Sequence, residues 1–186
     1  MRKLLSAFVL FLALLVIQSP SWGQCTNTIK ESCEVYPSCF QRYCPCEHDP
    51  NEYFKTYGEK YCKKFLQNPS FSTAGKRWRD TTLRCLQEAI VPRLDISENP
   101  KCDCKSMKAF AYDSHVACYT KTNASVCSLP LSDVNEIRKV IDIADSFTSE
   151  GWQQIKKVAE ICKADAPDDG RRAIWGALHA ILQLRQ

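Results

Sequence analysis

Two short stretches concentrate the side chains that could do chemistry: Tyr43-Cys-Pro-Cys-Glu-His-Asp49, and Cys102-Asp-Cys104. Thiols, an imidazole and carboxylates at this spacing can ligate a metal, carry redox equivalents, or be joined as disulfides, and the compartment decides among these. A structural zinc site needs four closed ligands. No second His/Cys pair stands at finger spacing from Cys44, Cys46, His48 and Asp49, so only Cys102 and Cys104 could complete a four-thiolate set. Redox catalysis ordinarily uses Cys-x-x-Cys at a helix start, whereas here one residue separates the thiols and Pro37, Pro45 and Pro50 surround them. In an oxidising compartment the thiols pair first, so the expectation is scaffolding, with no metal and no cofactor.

Hydrolytic chemistry finds no equipment either. His48, His115 and His179 lie in no His-Glu-x-x-His or Gly-x-Ser-x-Gly motif, nor beside the Cys-Cys-x-x-His-x-x-Cys arrangement of a secreted phospholipase. Asp168-Asp169 is more simply a helix start than an acid and base. No catalytic residue is assigned, and the chain is read as not an enzyme.

The elements that hold these residues begin after an export signal. Arg2 and Lys3 precede the apolar run Leu4 to Ile17, which is too short for a membrane span of about 20 residues. With Ser21-Trp22-Gly23 following it, residues 1–23 read as a signal peptide, and residues 24–186 as one disulfide-stapled helical domain, secreted and extracellular. That segment carries 23 basic against 21 acidic residues. This near-balance, without a basic cluster, gives no electrostatic footprint for nucleic acid or an anionic membrane, and no second apolar segment could span a bilayer.

All 12 cysteines follow the cleavage point and their number is even, which implies up to six disulfides. Residues 24–50 are too punctuated by proline for a long helix, though one short helix fits. From Glu52 the pattern turns helical, with Tyr53, Tyr57, Tyr61 and Phe65 at four-residue spacing, and Asn68-Pro69 ends it. A second helix starts near Ser72 or Thr73, with Ala74, Trp78, Thr82, Cys85 and Ala89 on one face, and stops at Pro92. A third runs from Cys102 to Lys121 with Cys104, Met107, Ala111, Ser114 and Cys118 inward. Ser132 caps a fourth carrying Val134, Ile137, Ile141 and Ala144. A fifth spans Ser149 to Lys163, and the last runs from Asp168 or Asp169 to Leu184 with Ile174, Leu178 and Ile181 inward. No strand pattern or repeat interrupts this all-α, disulfide-rich arrangement of five to six helices.

Helices joined by a short turn lie antiparallel, which sets Cys127, before the fourth helix, near Cys162, at the end of the fifth. A bridge there is worth about 3 to 4 kcal/mol on the chain-entropy model. Cys85 and Cys118 could staple the second and third helices, provided these are offset.

The run from Tyr61, "YCKKFLQNPSFSTAGKRWRDTTLRCLQEAIVPRL", then "CDCKSMKAFAYDSHVACYTKTNASVCSL", then "AEIC", resembles the stanniocalcin family of secreted helical glycoprotein hormones over roughly residues 25–162. The resemblance implies Cys25 with Cys39, Cys33 with Cys62, Cys85 with Cys118, and Cys127 with Cys162. It also implies a bridge from Cys44 or Cys46 to Cys102 or Cys104. The family pattern has one cysteine on each side there and this chain has two, so a sixth bridge is expected beside the fifth, its pairing open.

As to role, the resemblance implies a hormone-like signalling factor that acts through a protein receptor or a secreted protease target. The family is associated with calcium and phosphate balance and with inhibition of large secreted metalloproteases. It further implies a homodimer; no cysteine follows Cys162, so the usual covalent link is missing and the contact would be non-covalent. The apolar stripe Ile174, Trp175, Leu178 and Leu182 is a candidate for it, although core is the simpler use. Asn123-Ala124-Ser125 is an N-glycosylation acceptor in the loop after the third helix. The alternative functions are a helical carrier of an apolar ligand, which voids beside Trp78, Phe110 and Trp152 would favour, or a venom or parasite effector on the same scaffold.

Overall fold

The computed structural model describes residues 25–120, 123–146 and 148–184, and is helical without strands among them. The expected signal peptide lies outside the described residues. We label as α1 residues 36–43, a π-helical turn Tyr36–Phe40 running into Gln41–Tyr43. Helix α2 covers residues 54–67, π-helical over Phe54–Glu59 and α-helical over Lys60–Gln67. Then follow α3 (Thr73–Ile90, with a 3-10 turn Val91–Arg93), α4 (Cys104–Thr120), a 3-10 turn Val126–Ser128, and α5 (Leu131–Val140). The short α6 (Ile143–Ser146), α7 (Ser149–Asp165) and α8 (Asp169–Gln183) complete the order.

The tyrosine spacing explains the opening of α2. A strict four-residue repeat outruns the 3.6-residue period, so Tyr53, Tyr57, Tyr61 and Phe65 would drift around an α-helix. The wider π turn at its start offsets that drift, and Tyr53, Tyr61 and Phe65 are buried while Tyr57 packs against the core. Glu52 satisfies the first amides, its carboxylate accepting from the N–H of Lys55 at 2.7 Å and of Thr56 at 2.8 Å.

Side-chain caps set three later starts. Ser72 accepts from the N–H of Gly75 at α3, Thr148 from Gly151 at α7, and Asp168 from Arg171 at α8. Ser132 is not a cap: α5 starts at Leu131 behind Pro130, whose carbonyl takes the N–H of Asp133 and Val134. Helix α5 also stops at Val140, so Ile141 is extended and Ala144 is exposed in α6.

Helix α4 packs between α3 and α7, and α8 closes on α7; α2 rests on α3 and α5. The faces differ from the expected ones in places. Ala74 is exposed and Gly75 buried, because Gly75 lies against Asp133 and Phe71, where a Cβ would come within 2.6 Å and 2.8 Å. On α4, Tyr112, His115 and Tyr119 join Met107, Ala111 and Cys118 inside, while Ser114 is only half-buried. On α8 the buried residues are Trp175 and Leu182, and Ile174 and Ile181 are 40 % and 60 % exposed. With α7 as its principal neighbour α8 buries a narrow stripe, and the large indole at 175 fixes its rotation.

Candidate functional site

The two stretches singled out in the sequence meet. Cys44 and Cys46 flank Pro45 just after α1, and Cys102 and Cys104 stand at the start of α4. Cys44 is joined to Cys102 with Cα atoms 4.9 Å apart, and Cys46 to Cys104 at 5.9 Å. The bridges touch: Cys46 Sγ lies 3.6 Å from Cys44 Sγ and 3.8 Å from Cys102 Sγ. His48 and Asp49 do not join them. His48 is exposed, and Asp49 is engaged in a turn, accepting from the backbone N–H of Asn51 at 2.7 Å.

The other cysteines pair as Cys25–Cys39, Cys33–Cys62, Cys85–Cys118 and Cys127–Cys162, with Cα separations of 5.4, 5.8, 5.6 and 4.8 Å. The first two fasten the N-terminal segment to itself and to α2. The third ties α3 to α4, and the fourth closes the turn before α5 onto the end of α7.

Between α2, α3 and α4 lies an aromatic nest that sequence patterning missed. Tyr53, Tyr57, Tyr112 and Tyr119 surround His115 at centroid distances of 6.3, 6.1, 5.8 and 5.5 Å. The ring of His115 donates from Nδ1 to the carbonyl of Ala111 at 2.6 Å, and Nε2 accepts from the hydroxyl of Tyr53 at 3.3 Å. This arrangement suits a neutral imidazole, and burial lowers its pKa from 6.5 to about 4. Burial also raises the tyrosines, Tyr61 to about 12 and Tyr53 and Tyr57 further. No acid-base pair poised near neutrality results.

The cavity in this nest, lined by Tyr53, Tyr57, Trp78, His115 and Tyr119 among others, measures about 30 Å³. That is room for a water molecule, not for an apolar ligand of several hundred cubic ångströms. Phe110 is covered by the guanidinium of Arg93 at 4.3 Å, and Trp152 is half-buried against the core. A larger groove of about 250 Å³ runs between α4 and α7, where Ala109, Tyr112 and Val116 line it beside Asp113, Gln153 and Lys157.

At the surface, Lys60 and Lys64 of α2 hold Asp142 at 2.7 and 2.6 Å. These bonds lower the Asp142 pKa to about 2. Tyr61 donates to Asp145, so the turn around α6 is pinned to α2. His179 pairs with Gln183 on α8. Asn123 is exposed, whereas Ser125 accepts from the N–H of Cys127 at 3.2 Å as the cap of the 3-10 turn. Leu131, Ile174, Ile181 and Leu184 are exposed large apolar side chains. No described helix is long and apolar enough to cross a membrane.

A family model described as Stanniocalcin family matches residues 24–182. No curated protein and no solved structure matches the chain.

Proposed function

We propose that the chain, which belongs to the stanniocalcin family, is a secreted, hormone-like regulatory protein that works as a protein ligand, through its surface and without chemistry of its own. The observation that carries this reading is how little room the aromatic nest leaves. The cavity at its centre holds about 30 Å³, an order of magnitude below a ligand pocket. Recognition is thus left to the outside of a rigid, bridged helical body. The partner is a receptor or a secreted protease, and the roles that fit the family are calcium and phosphate homeostasis or restraint of a secreted metalloprotease. Its export, cleavage after Gly23 and a glycan on Asn123 belong to the same proposal.

The test is binding of labelled, fully oxidised protein to intact cells and to purified secreted metalloproteases. Saturable binding that trypsin treatment of the cell surface abolishes, or stoichiometric inhibition of a protease, is the expected result. One-to-one uptake of a hydrophobic dye by the folded protein, with neither of these, would return the carrier reading.

A second reading rests on the outer side of α8, where Ile174, Ile181 and Leu184 are exposed. Residues seven apart share a helix face, and such an apolar stripe is a natural contact for a second copy in a non-covalent homodimer.

A further inference from the structure

The geometry points to a tetrathiolate metal site, formed by Cys44, Cys46, Cys102 and Cys104 when the double bridge is reduced, that takes a soft divalent cation of the zinc class. In a tetrahedral zinc site with Zn–S bonds of about 2.3 Å, any two sulfurs stand about 3.8 Å apart. Cys46 Sγ already holds that spacing to both sulfurs of the neighbouring bridge, at 3.6 and 3.8 Å. Among the described residues, Cys44, Cys46 and Cys102 form the group of His, Cys, Asp or Glu whose ligand atoms all approach within 4.8 Å. Cys104, bonded to Cys46, has its sulfur outside that group and supplies the fourth ligand by side-chain rotation once the bond opens.

The frame survives the opening. Cys25–Cys39 and Cys33–Cys62 keep the segment bearing Cys44 and Cys46 on α2, and Cys85–Cys118 keeps α4 on α3. The four backbone positions are therefore held independently of the bonds to be broken. Access comes from the α4 side, where Cys102 and Cys104 are half-buried while Cys44 and Cys46 are buried. The electrostatics favour thiolates: Cys104 is the first residue of a 17-residue helix, and Lys101 and Lys105 flank it. The carboxylate of Asp103, between the two cysteines, is occupied by the N–H and hydroxyl of Ser106.

The chemistry balances with a dithiol as reductant. Each bridge accepts two electrons and two protons from one dithiol, which leaves as its cyclic disulfide, and the four thiols release four protons as one divalent cation binds. Two equivalents of a small-molecule disulfide take the four electrons and leave as four thiolates as the two bridges re-form and the cation is released, so occupancy follows the thiol–disulfide balance of the surroundings.

The test uses folded, secreted protein and limiting dithiothreitol, with alkylation to locate the thiols released first, followed by anaerobic titration with Co²⁺. The expected result is release at these four cysteines, one Co²⁺ per chain with sulfur-to-cobalt charge-transfer absorption, and protection of all four from alkylation when Zn²⁺ replaces it. The double variant Cys46→Ser/Cys104→Ser keeps the Cys44–Cys102 bridge and should bind Co²⁺ at least about 100-fold more weakly. First release at other cysteines, absence of the charge-transfer band, equal binding by the variant, or helical structure lost on reduction and not restored by metal would each overturn the proposal.

Discussion

The carboxylate of Asp133, on α5, accepts the backbone N–H of Ser72 at 2.9 Å across 61 residues of sequence, and the Ser72 hydroxyl as well. It thereby fixes the cap of α3 from another helix. Gly75 leaves room for it, since a Cβ there would lie 2.6 Å from the carboxylate carbon. Asp133→Ala removes two charge-assisted hydrogen bonds and should cost about 2 to 4 kcal/mol. Gly75→Ala should cost about 1 to 3 kcal/mol through forced overlap. Urea denaturation measures both, and a loss under 0.5 kcal/mol in either, about what an ordinary surface substitution costs, would deny this link its role.

His115 makes stability fall in mild acid. Its pKa is lowered by burial to about 4 in the fold against 6.5 in an open chain. Between those values the unfolded chain takes up a proton that the native chain refuses, so stability declines as pH falls from 6.5 to 4, by about 3 kcal/mol at the lower end. The neighbouring rings, Tyr53, Tyr57, Tyr112 and Tyr119, stay neutral throughout this range. Asp142, held near 2 by Lys60 and Lys64, loses its contribution only below that window, as pH falls from about 4. His115→Gln should flatten the decline between pH 6.5 and 4, as read from urea midpoints across pH.

The bridge between Cys127 and Cys162 closes a span of 35 residues. Replacing both cysteines by serine should lower stability by about 3 to 4 kcal/mol on the chain-entropy model, with the helical circular dichroism retained at low temperature.

On α8, Ile181→Lys adds charge at an exposed apolar position. It should leave the unfolding midpoint within the range of a surface change, about 0.5 kcal/mol, and weaken any self-association seen by sedimentation. An unchanged dimer would move the contact elsewhere.

What could be read from the sequence was what local chemistry dictates. Ser72, Asp168 and Asn68-Pro69 mark helix ends by capping and by the restriction that proline imposes on its predecessor. The hairpin between α5 and α7 likewise brings Cys127 to the place where the structure joins it to Cys162. What could not be read depends on the neighbours. Ile174 and Ile181 make as good an apolar stripe as Trp175 and Leu182 until the packing of α8 on α7 selects between them. Ser132 looks like a cap because the carbonyl of Pro130 is not visible as an acceptor in the sequence. The burial of His115 carries no local signal, since its ring packs on tyrosines from elsewhere in the chain and its Nε2 meets Tyr53, just ahead of α2. The register that sets Cys46 between the sulfurs of its neighbours is likewise tertiary.

The most direct measurement is the intact mass of the protein secreted by eukaryotic cells, alkylated before and after reduction, with its bridges mapped by digestion. An exported, fully bridged ligand should begin at Gln24, carry a glycan at Asn123, and take up twelve alkyl groups only after reduction, with Cys44 and Cys46 bridged to Cys102 and Cys104. A chain retained in the cell with its leader uncleaved, or free thiols before reduction, would contradict the account.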